Sequence, residues 1–246
     1  EFSLNEGNIE TLIFDSVNLD SLDLKIYRDK SLPDDKNIKR SYAQQLKDLN
    51  HKFAINHLAL KNAKIVYGEK YSGIDEFAEI KFDDVKIELD SISNYNTNFA
   101  RLKSQSMLNN GSDLKLYITY DLNTDHSTFD AKIEARNIDA RSFSKMLKYS
   151  QKKGFEGDIQ KLSAEFQSKN NSASGDFNIK ASDIKVTLFN DQFKEKKVMS
   201  FLANKVIGDS MDKSFEIEDI QKDPTKSFWN YLWSYIRFGL KTALLK

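Results

Sequence analysis

Three acidic pairs are the side chains in this sequence best suited to acid–base chemistry. They are Asp34-Asp35, Asp75-Glu76 and Asp83-Asp84, and two carboxylates facing each other across a cleft can act as the acid and base of a glycosidase. Each pair adjoins a predicted turn or bulge, where aspartate competes for backbone hydrogen bonds. We therefore interpret the pairs as structural and predict no catalytic residues among them.

Histidine is the second candidate for chemistry, and the chain has three. His51 and His57 share one side of a predicted strand, whereas His126 falls in a predicted turn. A zinc site needs three or four ligands, and the chain has no cysteine to complete this pair. The sequence also lacks phosphate-binding glycine loops, the nucleophile elbow and the paired-histidine helix of metalloproteases. We predict a protein that is not an enzyme and holds no metal or cofactor.

Composition narrows the choice of partner. Among 246 residues, 37 Lys and Arg balance 37 Asp and Glu, which argues against nucleic acid because such binding depends on excess positive charge. The absence of cysteine excludes a disulfide framework. The chain is nevertheless rich in aromatics, with 17 Phe and 10 Tyr. A sequence rich in both aromatics and charge is typical of strands with one apolar and one solvated face.

Alternating apolar and polar residues dominate the chain and predict a mainly β fold. Residues 114–120 and 129–136 alternate strictly around a polar turn, which indicates a hairpin. Two other runs change phase, at Asp83-Asp84 and at Ser182-Asp183, which indicates bulges. With eight to ten strands in all, we predict a curved, twisted antiparallel sheet, shaped like a half-barrel or groove, with a few short helices.

Helices are predicted at four places. Short helices are expected near 41–49, 139–153 and 198–207, within a β-groove domain that spans 1–222. Residues 223–246 are predicted to form a separate amphipathic helix, because Trp229, Trp233, Ile236 and Leu240 recur at helical spacing. This stripe predicts either packing on the sheet as an end cap or contact with a membrane interface, where tryptophan is enriched.

Four segments resemble the C-terminal region of AsmA-like envelope proteins of Bacteroidetes type, relatives of TamB-like and chorein-type bridge proteins. They are the strand Leu19–Lys30 with Leu32-Pro33 after it, the strand Ile65–Lys70, the strands around Leu162–Phe166, Gly175–Phe177 and Asp183–Val186, and the closing stretches Ser200–Asn204 and Ser227–Trp233. The family typically has an amino-terminal membrane anchor, which this sequence lacks, so we expect the chain to be part of a longer protein.

The resemblance implies a periplasmic protein, tethered to a membrane, that shelters lipid acyl chains in an apolar trough for lipid transport between membranes or for homeostasis of the outer membrane. We accordingly expect phospholipid or another acyl lipid as ligand, with a membrane surface and an envelope protein as further partners. The residues expected to line the groove are Phe129, Ile133, Phe166, Phe177 and Ile179. Those expected to touch membrane or cap the sheet are Trp229, Trp233, Ile236 and Leu240.

One alternative remains open from the sequence. The same apolar face fits a filled core, and the chain would then be a structural or assembly module that docks a partner envelope protein. Strand addition at an uncovered sheet edge would be its physical mode. Whether the apolar face is filled or open decides between the two.

Overall fold

Over the residues that it describes, the computed structural model shows one open, curved sheet of eleven strands with four helices. The structure describes residues 1–5, 8–96, 98–109, 111–207 and 210–245. The strands are β1 (Phe2–Asn5), β2 (Asn8–Asp20), β3 (Asp23–Asp29), β4 (Lys52–Lys70), β5 (Ala78–Ser93), β6 (Phe99–Leu108), β7 (Ser112–Asp121), β8 (Phe129–Asp139), β9 (Lys153–Lys169), β10 (Ser172–Leu188) and β11 (Ser210–Gln221). The mainly β, curved sheet predicted from alternation is confirmed.

The helices are short except for the last. They are α1 (Tyr42–Lys47), α2 (Ser144–Gln151) after a 3-10 turn at Ala140–Phe143, α3 (Lys197–Ile207) and α4 (Phe228–Leu245). Ser41 caps α1 through a capping box with Gln44, and α2 ends at Lys152 in the left-handed conformation. All four lie where the sequence predicts helices.

Strand order follows the chain from β4 to β11, each strand antiparallel to the next. The predicted hairpin is present as β7 and β8. At the other side of the sheet, β2 and β3 both pair with β4 in parallel, end to end, which the sequence analysis did not predict. A parallel connection needs a crossover, and residues 30–51 supply it, with α1 included.

Residues with positive φ form a row across the sheet, and almost every strand contributes one of them. Each position has positive φ at or beside a break in the strands, or, for Asn109, in the turn that follows β6, and each is Ser, Asn, Asp or Gly, the types that tolerate this conformation. The row comprises Ser21, Asn62, Asp84, Asn109, Asn137, Gly157 and Asp183. It contains both predicted bulges, which are confirmed. Because a bulge bends its strand, the row marks a line along which the sheet changes direction.

The main core lies between α4 and one face of β7–β11, here called the α4 face. Phe166 stacks on Tyr235 with ring centroids 3.9 Å apart, and Phe129 meets Phe228 at 4.9 Å. Helix α1 extends this core, since Tyr42 lies 5.5 Å from Phe228. Through these contacts α4 shares its apolar side with the sheet. The predicted division of the chain at residue 223 stays a prediction.

Candidate functional site

The predicted groove residues lie beneath α4. Phe129, Phe166, Phe177 and Ile179 are all at most 4% exposed, and Ile133 is half-buried against the same cluster. Tyr231 and Tyr235 of α4 stand between these side chains and solvent. Over β7–β11 the α4 face is thus filled by protein.

The four residues of the predicted stripe on α4 have different surroundings. Ile236 and Leu240 pack against the core, whereas Trp229 and Trp233 are 50% and 43% exposed. The sheet-facing side is centred on Tyr235 instead. The sequence pattern does not single out Phe228, Tyr231 and Tyr235, because the stripe that contains both tryptophans runs along the neighbouring side of the helix. Gly239, one turn after Tyr235, is the sequence signal that indicates close packing on the sheet-facing side.

Strand register shows that the α4 face continues beyond the helix to β2 and β3. Cross-strand partners share a face: Leu24 pairs with Ile65, and Ile65 pairs with Phe82. Phe82 in turn pairs with Leu108 of β6, and Leu108 is on the same face as Leu102. The cross-strand partners of Leu102 continue this face through β7 and β8 to Phe166. Leu24 therefore shares a face with Phe166, although α4 lies over only one of them.

This outlying part of the α4 face is apolar and accessible. Leu19, Leu24 and Ile26 are 45%, 39% and 46% exposed. Beside them on the same face, β4 and β5 carry a second, smaller core of Leu60, Ala63 and Val85, with the half-buried side chains Ile65, Phe82 and Ile87 packed on it. We call Leu19, Leu24 and Ile26, with this cluster beside them, the open strip.

A polar cluster closes the far end of the open strip. Glu69 accepts hydrogen bonds from Tyr67, at 2.7 Å, and from Tyr71, and the Lys30 ammonium lies 3.5 Å from its carboxylate. Burial, followed by the hydrogen bond to Glu69, raises the pKa of both phenols above the usual value. Both phenols therefore stay protonated, and remain hydrogen-bond donors, up to a higher pH than an ordinary tyrosine does.

The crossover segment 30–41, here called the strap, connects the open strip to α4. Asp34 pairs with both Arg28, at the end of β3, and Lys226, just before α4. The Lys39 amide donates to the Pro224 carbonyl at 2.8 Å. The Lys226 ammonium holds the pKa of the Asp34 carboxyl below its usual value. The strap thus passes over the α4 face beside the open strip.

The opposite face of the sheet is charged. A depression of about 650 Å³ on this face spans β5 to β10 around Tyr117. Lys103 lies 3.7 Å from Glu88, and Lys132 lies 3.9 Å from Glu165. Since charges of opposite sign neighbour each other across these strands, the described part of this face presents a mixed pattern of charge to a ligand.

The acidic pairs have structural partners. Asp35 pairs with Lys39, Glu76 lies 2.9 Å from Lys145, and Asp84 occupies a bulge. No cleft between two carboxylates is built from them in the described ranges.

The histidines are separated by their surroundings. His57 lies 2.6 Å from Asp90 across the β4–β5 pair, while His51 stands edge-on to Phe53. Within the part of the chain that the structure describes, no three His, Asp or Glu side chains converge as metal ligands. Among the same residues, no helix is both long and apolar enough to cross a bilayer.

The fold and the open strip define a mainly β protein with a partly covered apolar face. No protein-family model, curated protein or solved structure matches this chain. The resemblance to AsmA-like envelope proteins therefore stays a prediction.

Proposed function

We propose that this chain is a non-enzymatic module of an AsmA-like protein that shelters lipid acyl chains for transport between envelope membranes. In this proposal it belongs to a longer, membrane-anchored periplasmic protein. The observation that best supports this proposal is the open strip. There the apolar face of the sheet extends beyond α4, which covers the remainder of that face, and is exposed to solvent. Covering apolar area stabilises a complex by about 25 cal/mol per Å², and an acyl chain supplies such a cover.

The site proposed for lipid differs from the one expected from sequence. Phe129, Phe166, Phe177 and Ile179 are already covered by α4, so the acyl chain would lie on Leu19, Leu24 and Ile26. Helix α4 would then seal one end of the trough. The cluster around Glu69, with the cations Arg28 and Lys30 near it, would face the polar end of the lipid.

Lipid uptake tests this proposal directly. We expect Leu19→Asp to reduce the affinity for a phosphatidylethanolamine with a fluorescent acyl chain by at least tenfold, because a bound acyl chain would desolvate the new carboxylate. Fluorescence titration of the full chain measures the effect. Phe14→Asp is the matched control: Phe14 is on the same strand and 40% exposed, but it points to the charged face.

Two results would contradict the lipid proposal. One is a wild-type protein that takes up no labelled lipid and carries none when purified from cells, as judged by native mass spectrometry. The other is an equal loss of uptake in Leu19→Asp and Phe14→Asp, which would place the lipid elsewhere.

Membrane contact by α4 is a separate part of the proposal. Trp229 and Trp233 are half-exposed on one flank of the helix, and the exposed Arg237 and Lys241 follow beside them. Tryptophan next to basic residues is typical of helices at the headgroup level of a membrane.

We expect Trp229→Ala/Trp233→Ala to lower the bound fraction several-fold in co-sedimentation with phosphatidylethanolamine–phosphatidylglycerol vesicles. Both side chains are half-exposed, so the melting temperature should change little. Phe14→Ala, another exposed aromatic, serves as control. Absence of wild-type binding would refute the membrane contact.

A structural or assembly module is the second candidate. The observation in its favour is the filled core, since α4 occupies the face over β7–β11. A protein that binds no lipid in the titration above would support this candidate.

A further inference from the structure

The β3 edge of the sheet is the described surface best suited to another protein strand. In the described ranges β3 pairs only with β4, and β1, with Glu1 before it, covers β2 only as far as Ile13. Leu22, Leu24, Ile26 and Tyr27 are 39–46% exposed along this edge. An edge of this kind is a template for strand addition.

The backbone pattern decides which residues of β3 can accept a new strand. The Lys64 amide donates to the Leu22 carbonyl at 2.7 Å, and the Lys30 amide donates to Lys70 at 2.8 Å. Even-numbered residues therefore direct their amide and carbonyl groups toward β4. Alternation along the strand leaves those of Asp23, Lys25 and Tyr27 directed outward.

The side chains of the edge are complementary to themselves. We consider two copies of β3 that run antiparallel with Leu24 opposite Leu24. Asp23 of each copy then faces Lys25 of the other copy, which gives two pairs of opposite charge. On the α4 face, Leu22 then faces Ile26, also twice. Opposite charges that face each other across two strands stabilise the pair, whereas like charges in the same places destabilise it.

Neighbouring registers match less well. If the pair is centred on Lys25, the Lys25 side chains of the two copies face each other. If it is centred on Ile26, Asp23 of each copy faces Asp29 of the other. Centring it on Tyr27 opposes Lys25 to Asp29 but places Ile26 against Arg28. Among these four registers, the one centred on Leu24 is the one that satisfies charge and apolar pairing together.

We propose that two copies of this chain associate through antiparallel pairing of their β3 edges, centred on Leu24. We assign a second copy of this chain as the partner at this edge because Asp23 and Lys25 are complementary in charge to the same two residues of an antiparallel copy. Pairing in this way puts both α4 faces on the same side of one continuous sheet. The proposal does not depend on lipid binding.

Charge exchange gives the first test, by sedimentation equilibrium of the full chain at low salt. Asp23→Lys and Lys25→Asp each place like charges opposite one another twice, and we expect each to weaken dimerisation by about tenfold or more. A mixture of the two variants restores both attractive pairs and should dimerise like wild type. The double variant Asp23→Lys/Lys25→Asp should dimerise as well.

Cross-linking gives the second test. The chain has no cysteine, so Leu24→Cys introduces a lone thiol, and in the proposed register the two thiols lie at disulfide distance. We expect mild oxidation to link Leu24→Cys into dimers. In this register the two copies of position 26 are four residues apart along the pair. Ile26→Cys should therefore form no cross-link and should run as a monomer on the same non-reducing gel.

Three outcomes would overturn the proposal: a wild-type protein that stays monomeric at the highest soluble concentration, single charge variants that dimerise like wild type, or preferential cross-linking of Ile26→Cys. Unchanged thermal melting of each variant shows that the fold is kept. Retained dimerisation in both single charge variants would locate the interface on another surface.

Discussion

Gly239→Ala is expected to destabilise the protein by about 2 kcal/mol, although alanine is the better helix former. A Cβ atom at position 239 would lie 2.6 Å from Cγ of Phe177, a side chain with no exposed surface. Helix propensity favours alanine by about 1 kcal/mol, and overpacking costs about 1–3 kcal/mol. The clash is with the body of a buried ring, which is held by Phe215 at 5.5 Å, so overpacking prevails.

Thermal and denaturant unfolding measure this effect. For a chain of this size, the loss corresponds to a melting temperature lower by about 4–8 °C. Gly111→Ala is the control, because nothing lies within 4 Å of a Cβ there, and it should change stability by less than about 0.5 kcal/mol.

A double-mutant cycle isolates the contact. In a Phe177→Ala background the ring is gone, so Gly239→Ala should become neutral or stabilising by its helix propensity. Additive effects of the two substitutions would show that α4 does not approach β10 at this point.

Phe166→Ala is expected to have the largest effect of any single truncation proposed, about 3–5 kcal/mol. The ring is 4% exposed, stacks on Tyr235 and stands edge-on to Phe129 at 6.1 Å. Its removal would leave a cavity that α4 and the sheet cannot close without losing their other contacts.

The same substitution separates a core from a lipid groove. Side chains that line an open groove contribute little to folding when lipid is absent, so truncation would lower lipid uptake and leave unfolding almost unchanged. Phe14→Ala, at an exposed phenylalanine, should cost less than about 1 kcal/mol in either case. A Phe166→Ala variant with wild-type stability in lipid-free protein would contradict a filled core.

Much of the fold could be predicted because its strands alternate cleanly. Residues 114–120 and 129–136 needed no long-range information, and a phase change at Asp83-Asp84 revealed a bulge through local pattern alone. The parallel pairing of β2 and β3 with β4 left no such trace. It depends on the long crossover through Asp34 and Tyr42, and pairing between distant segments is not encoded in periodicity.

The site was harder to predict because alternation reveals a face but not what covers it. Phe129 and Ile26 carry the same signal, an apolar residue on one side of a strand, yet the first is buried and the second is 46% exposed. The difference is made by α4, which packs over β7–β11 through side chains such as Tyr235 and approaches β10 closely at Gly239. Aromatic content predicted that the face needs a cover and could not say where the cover ends.

The position of α4 in the chain has a consequence for biosynthesis. The helix is translated after all the strands it covers, and at about 5–20 residues per second the ribosome needs roughly ten seconds to proceed from β8 to the end of α4. During that interval Phe129 and its neighbours have no helix to pack on. We expect nascent chains halted before residue 228 to bind a holdase chaperone and to release it once α4 emerges.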